Sequence, residues 1–156
     1  MEKGIEIIKK LFVLIEKTKD INDLKMVVGT LQDSYDTISV YNSNWDIFST
    51  ISISWYENER LKRLNFAGEK FKISLEELKR FFGNYEYAYN YRDNYTGFFF
   101  LNIKSNNVKK IYCEKDNNFK KESDYFYEYT PKGKIGTNFT EDIIYFDNIT
   151  FEMDSK

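Results

Sequence analysis

The chain reads as an α+β fold: a single domain built on one mainly antiparallel, twisted sheet, with an N-terminal helix and a second helix near residues 75–82 packed on it. Three observations predict this. Period-two alternation recurs in short runs separated by Asn, Asp and Ser clusters, most plainly in NYEYAYNYRDNYTGFFFLNIKSNNVKKIYC from Asn84 to Cys113, which reads as an antiparallel meander. Amphipathic helical spacing is confined to a few short stretches. Rings are plentiful, with 14 Phe, 13 Tyr and 2 Trp in 156 residues, and aromatic side chains suit half-buried pleated surfaces. A chain of this length buries roughly 70% of its unfolded surface, enough for a core without metal or disulfide staples.

Taken in order, residues 2–18 form the first helix, with Ile5, Ile8, Leu11, Phe12 and Ile15 at spacings of three and four and Lys3, Lys9, Lys10 and Lys17 on the wet side. Asp20 caps a second short helix, supported by Asp23 in its first turn and ended by Gly29. Residues 33–44 are ambiguous, with 37–40 as a possible edge strand between loops. Ile51, Ile53 and Trp55 alternate with Ser52 and Ser54 as a half-buried strand, which turns at Glu57–Glu59 into a partner carrying Leu64 and Phe66 inward. Gly68 closes that hairpin. Ser74 and Glu77 form a capping box for a helix bearing Leu75, Leu78, Phe81 and Phe82, which stops at Gly83. In the meander, Tyr85, Tyr87, Tyr89 and Tyr91 share one face of the first strand. The second strand puts Phe99, Leu101 and Ile103 opposite Phe98 and Phe100, and the third begins at Val108. After Cys113 the chain is polar through Lys121, Tyr125, Tyr127 and Tyr129 alternate again, and residues 143–146 and 149–153 are expected to form a last hairpin around Asp147 and Asn148.

Net charge is only −2, yet the charges are unevenly spread. Residues 20–58 carry six acids against Lys25, residues 60–82 carry seven bases against three acids, and residues 135–156 carry five acids against Lys156. No apolar run approaches the ~20 residues needed to span a bilayer, and MEKGIEIIKKLFVLIEK lacks the pattern of a signal peptide. The lone Cys113 excludes an internal disulfide and fits a reducing compartment, so a cytoplasmic location is expected. The N-x-T triplets at Asn94, Asn138 and Asn148 are then coincidences of an Asn-rich chain.

The absence of histidine removes Ser-His-Asp and Cys-His catalysis and His-ligated zinc, and one Cys makes no thiolate metal site. No P-loop or dinucleotide fingerprint is present, and no cofactor is expected. Glu76 with Glu77, or Glu141 with Asp142, would be the carboxylate pairs of a glycosidase-like or magnesium-dependent enzyme. Adjacent helical residues do not share a face, however, and Glu77 already serves the cap. Rings on both sides of the predicted strands leave either two covered faces or an exposed aromatic patch, which would mark a binding surface. Tyr87, Tyr89, Phe98 and Phe100 with Lys109 and Lys110 would suit a sheet-based binder of single-stranded nucleic acid, against which stands the mildly acidic composition. The acidic segments suit a protein partner with a basic surface better.

The stretch from Trp45 to Cys113, above all FSTISISWYENERLKRLNFAG, the Ser74 helix, FFGNY and NYRDNYTGFFF, resembles bacterial immunity proteins, the inhibitors encoded beside polymorphic and contact-dependent growth-inhibition toxins. An Asn-, Lys-, Ile- and Tyr-heavy composition without a catalytic constellation adds to the resemblance. It implies a non-enzymatic protein that binds one toxin domain tightly in the cytoplasm. Many such toxins are nucleases with basic active sites, against which an acidic, aromatic surface is physically sensible. The resemblance transfers no residue by position, so the expected contacts come from this chain's own pattern. They are Asp33, Asp36, Trp45 and Asp46 from the early acidic stretch, and Tyr125, Tyr127, Glu128, Glu141, Asp142 and Asp147 from the C-terminal part, with Trp45 equally suited to the core.

Overall fold

The computed structural model describes residues 4–18 and 20–154. Its elements are helix α1 (Gly4–Glu16), strands β1 (Val28–Tyr35), β2 (Ile38–Ser43), β3 (Thr50–Trp55), β4 (Leu61–Ala67) and β5 (Ile73–Ser74), helix α2 (Leu75–Phe82), then β6 (Glu86–Asn90), β7 (Tyr95–Phe100), β8 (Val108–Lys115), β9 (Phe119–Glu122), β10 (Tyr125–Thr130), β11 (Gly133–Lys134), β12 (Tyr145–Phe146) and β13 (Asn148–Met153). The architecture is α+β. Eight strands make one antiparallel sheet in the order β1-β2-β3-β4-β13-β8-β7-β6, with a three-stranded sheet β11-β10-β9 and a two-stranded pair β12-β5 beside it.

Two local meanders, β1 to β4 and β6 to β8, follow from short turns between alternating strands. What joins them is β13. Its alternation sends Ile149, Phe151 and Met153 to one side, where Phe151 lies opposite Leu64 on β4 and Ile111 on β8. The same row continues to Ile53 on β3 and Phe100 on β7, giving a strip of five apolar side chains across five strands. Against this side pack Ile7, Ile8, Leu11 and Ile15 of α1, Leu75 and Leu78 of α2, and Phe126 of β10. Complete burial of each such aliphatic side chain contributes about 1.5–3 kcal/mol.

On the other side β13 presents Asn148, Thr150 and Glu152. Thr150 Oγ1 accepts from Asn65 Nδ2 at 2.8 Å. Glu152, nearly buried, meets Lys109 at 3.2 Å, Arg63 at 3.3 Å and Lys110 at 3.4 Å. Burial alone would raise its carboxyl, but these three cations outweigh that and hold it below the ordinary glutamate range.

The capping box formed as expected: Glu77 N–H donates to Ser74 Oγ and Ser74 N–H to Glu77 Oε2, both at 3.1 Å. α2 stops at Gly83, whose φ of 90° lies where an L side chain is strained. Asp20 does cap, but only a single 3₁₀ turn, Ile21–Leu24.

Four expectations need correction. Gly29 ends no helix and lies in β1, where a Cβ would come within 2.8 Å of the Asn42 carbonyl oxygen on β2. Residues 37–40 are not an edge strand between loops: Thr37 lies in the turn and 38–40 belong to β2, which pairs on both sides, with β1 as the edge. β7 ends at Phe100, so Leu101 and Ile103 lie in the following loop, and β9 occupies part of the polar stretch after Cys113. The expected last hairpin does not form. β12 pairs with β5 while β13 enters the large sheet, because the two runs bury different faces against different partners. No helix among the described residues is long and apolar enough to cross a membrane.

Phe151→Ala should therefore destabilise by about 3–5 kcal/mol in urea denaturation, since its fully buried ring abuts Phe66 edge-on at 5.9 Å. Val13→Ala, on the exposed side of α1, should change stability by under about 0.5 kcal/mol.

Candidate functional site

The sheet's β1 edge and the turns beside it gather exposed acids and apolar side chains. Asp33 lies opposite Val40 and Tyr35 opposite Ile38, so both project from the face opposite the core. Asp36 makes the turn to β2 with φ 50°, a left-handed conformation that aspartate tolerates. The Thr37 carbonyl then accepts from Trp55 N–H at 3.0 Å, which sets the β3–β4 turn alongside the β1–β2 turn. That second turn carries Glu57 and Glu59. The result is four exposed acids, Asp33, Asp36, Glu57 and Glu59, against the cations Arg60 and Lys62, with Tyr35 55% exposed beside Asp33, while the exposed Leu31 lies opposite Tyr41 on the other face of the strand. Among the described residues no strand pairs with the outer side of β1, and its register shifts twice between Val28 and Asp33. Such irregularities blunt strand-to-strand addition, so recognition here rests on side chains more than on backbone pairing.

The other half of the early set sits elsewhere. Trp45 stacks on Phe48 with ring centroids 6.2 Å apart and is packed against the core, while part of its ring lines a groove of about 800 Å³ between the 44–47 loop and α1. Asp46 lies exposed on the rim of that groove. The two readings of Trp45, core and surface, both describe it.

The C-terminal set divides further. Tyr125 and Tyr127 project from the outer face of the three-stranded sheet, but Glu128 points inward and accepts from Asn117 Nδ2. Glu141 is engaged within the fold. Its carboxylate accepts from Lys79 Nζ at 3.2 Å and from Tyr85 Oη at 2.5 Å, while its backbone carbonyl accepts from Glu76 N–H at 3.0 Å. These bonds latch the 135–144 loop onto α2. Asp142, beside it and exposed, accepts from the Thr140 hydroxyl. Asp147 lies at another site, in a cleft with Glu114 and Asp116. Of the ten expected residues, Asp33 with Asp36, Trp45 with Asp46, Tyr125 with Tyr127, and Glu141 with Asp142 share a surface, and those four surfaces are separate.

The residues considered for nucleic acid do not assemble. Phe98 and Phe100 are wholly buried, Tyr87 packs on Phe98 and Phe126, and Lys109 and Lys110 serve Glu152 on the opposite side of the sheet. Three of the four carboxylates considered for acid/base chemistry are engaged within the fold. Glu76 pairs with Arg80, Glu77 with the Ser74 backbone, and Glu141 with Lys79 and Tyr85. Among the described residues no cluster of Cys, Asp and Glu is arranged to hold a metal ion. Missed from the sequence were Tyr35, which follows Asp33 at the period-two spacing, and Tyr129, which does the same after Tyr127. No protein-family model matches the chain, no curated protein matches it in sequence, and no solved structure matches its fold.

Burial would raise the Glu141 carboxyl, but the hydrogen bonds from Tyr85 and Lys79 and the nearby Lys121 hold it below its ordinary range. Its stabilisation is therefore complete above the ordinary glutamate range and is lost as pH falls through the depressed value. Glu141→Gln should cost about 1–2 kcal/mol at neutral pH in urea denaturation, and the gap to the native chain should narrow on acidification.

Proposed function

We propose that this chain is an immunity protein: a non-enzymatic, stoichiometric inhibitor that acts in the cytoplasm by covering a toxin domain, a nuclease with a basic active site. The observation that carries this reading is the β1 edge, where exposed Tyr35 shares a face with Asp33 and lies beside the turns that carry Asp36, Glu57 and Glu59. A phosphate-binding cleft is lined with Lys and Arg, and an acidic surface of this kind competes for it with the nucleic acid. The acids speed encounter, and Tyr35 supplies the desolvated contact that slows dissociation. The resemblance to immunity proteins in the Trp45–Cys113 segment supports the same reading.

The test uses the protein encoded beside this chain. Co-expression should rescue growth from that protein's toxicity, and the two should co-purify. Asp33→Lys with Asp36→Lys should weaken binding about tenfold or more, chiefly through slower association, and should reduce its salt dependence. Tyr35→Ala should act mainly on dissociation, costing about 1–2 kcal/mol. Unchanged protection and affinity in the charge-reversed variant, with native melting, would remove this edge as the binding surface.

A further inference from the structure

The three-stranded sheet carries a second surface, with chemistry unlike the β1 edge. In β10, Phe126 faces inward and packs on Phe98 and Tyr87, so Tyr125, Tyr127 and Tyr129 face outward. Their cross-strand neighbours share that face: Glu122 lies opposite Tyr125, Lys120 opposite Tyr127, and Lys134 opposite Tyr129. The lysines reach diagonally over the rings. Lys134 Nζ lies 3.8 Å from the Tyr127 centroid and Lys120 Nζ 5.3 Å from that of Tyr129. Glu122, the one acid on the face, meets Lys134 at 3.0 Å and accepts from the Tyr129 hydroxyl, whose pKa is thereby pushed up to about 12. Among the described residues Lys120 has no carboxylate at ion-pair distance. The face is thus a ladder of three tyrosines under a net positive charge, next to β6 and at the far end of the large sheet from β1.

We propose that this ladder binds single-stranded nucleic acid, with successive bases stacking on the tyrosines and Lys120 and Lys134 swinging off the Tyr129 and Tyr127 rings to meet the phosphates between them. The spacing selects a single strand. Alternate residues of a strand lie about 6.8 Å apart, twice the ~3.4 Å rise of a duplex strand, so bases must be splayed to meet successive rings. Sequence preference is weak, because each ring offers only a π-face. This surface is independent of the toxin-binding reading.

Fluorescence anisotropy with a labelled oligouridylate of about 12 nucleotides at about 50 mM salt tests it. Saturable binding is expected, weakening as salt rises to about 200 mM. Tyr125→Ala, at a ring 41% exposed and so tolerant of truncation, should lower affinity about fivefold or more, while Tyr125→Phe should not. Lys120→Glu with Lys134→Glu should lower it about tenfold or more at low salt. No anisotropy change at protein concentrations to about 100 μM would overturn the proposal. So would equal affinity for a duplex of the same length, full competition by polyglutamate, or undiminished binding by Tyr125→Ala and the lysine variant with native melting curves.

Discussion

β13 must pair with β4 on one side and β8 on the other before either meander has a complete core row. Phe151 stands between Leu64 and Ile111, and without it the strip from Ile53 to Phe100 has a gap at its centre. The same strand carries Glu152 on its reverse side, where Arg63 of β4 and Lys109 and Lys110 of β8 converge on one carboxylate. A lone buried charge would oppose insertion of the strand, whereas a charge met by three cations from its two neighbours fixes register. Apolar fit and ion pairing thus specify one position for the strand. The local hairpins need only short turns, but this pairing closes loops of many tens of residues, which makes it the slow, topology-limited part of folding.

That insertion also decides which surfaces stay open. With β13 in the middle, β1 and β6 become the outer strands. β6 is backed by the three-stranded sheet through Tyr87 and Phe126, whereas β1 and the tip of its hairpin extend past the core. The acids on that tip therefore remain hydrated and unpaired with internal cations, while Glu141 and Glu152 become structural. Charge sign is a poor guide to role here: acids of equal formal charge divide by whether a Lys, Arg or Tyr faces them. The two open surfaces differ in sign, the β1 edge acidic and the tyrosine ladder basic, so they suit different partners.

Much of the fold was legible in the residues because it is local. The Ser74–Glu77 box, the Glu57–Glu59 turn and the inward Leu64 and Phe66 each depend on neighbours within a few positions, and each stands as expected. Asp20 was read correctly as a cap, but cap chemistry does not specify how many turns follow, and the chain entered a strand instead. Within the site, period-two alternation did place Tyr125 and Tyr127 on one face away from Phe126. It did not reveal that Glu128 is turned inward to Asn117, a partner eleven residues away across a strand pair.

By itself the sequence determined the fold class, the local turns and caps, and a chemistry without imidazole, because these depend on composition and on contacts a few residues apart. Only the tertiary structure decided that the last two runs separate into different sheets, that Glu141 latches a loop, and that Asp33 and Asp36 join Glu57 and Glu59 at one edge. Those outcomes depend on which distant strand offers a matching apolar row or a facing cation. The local pattern of a strand determines which side chains share a face, but not what will lie against that face.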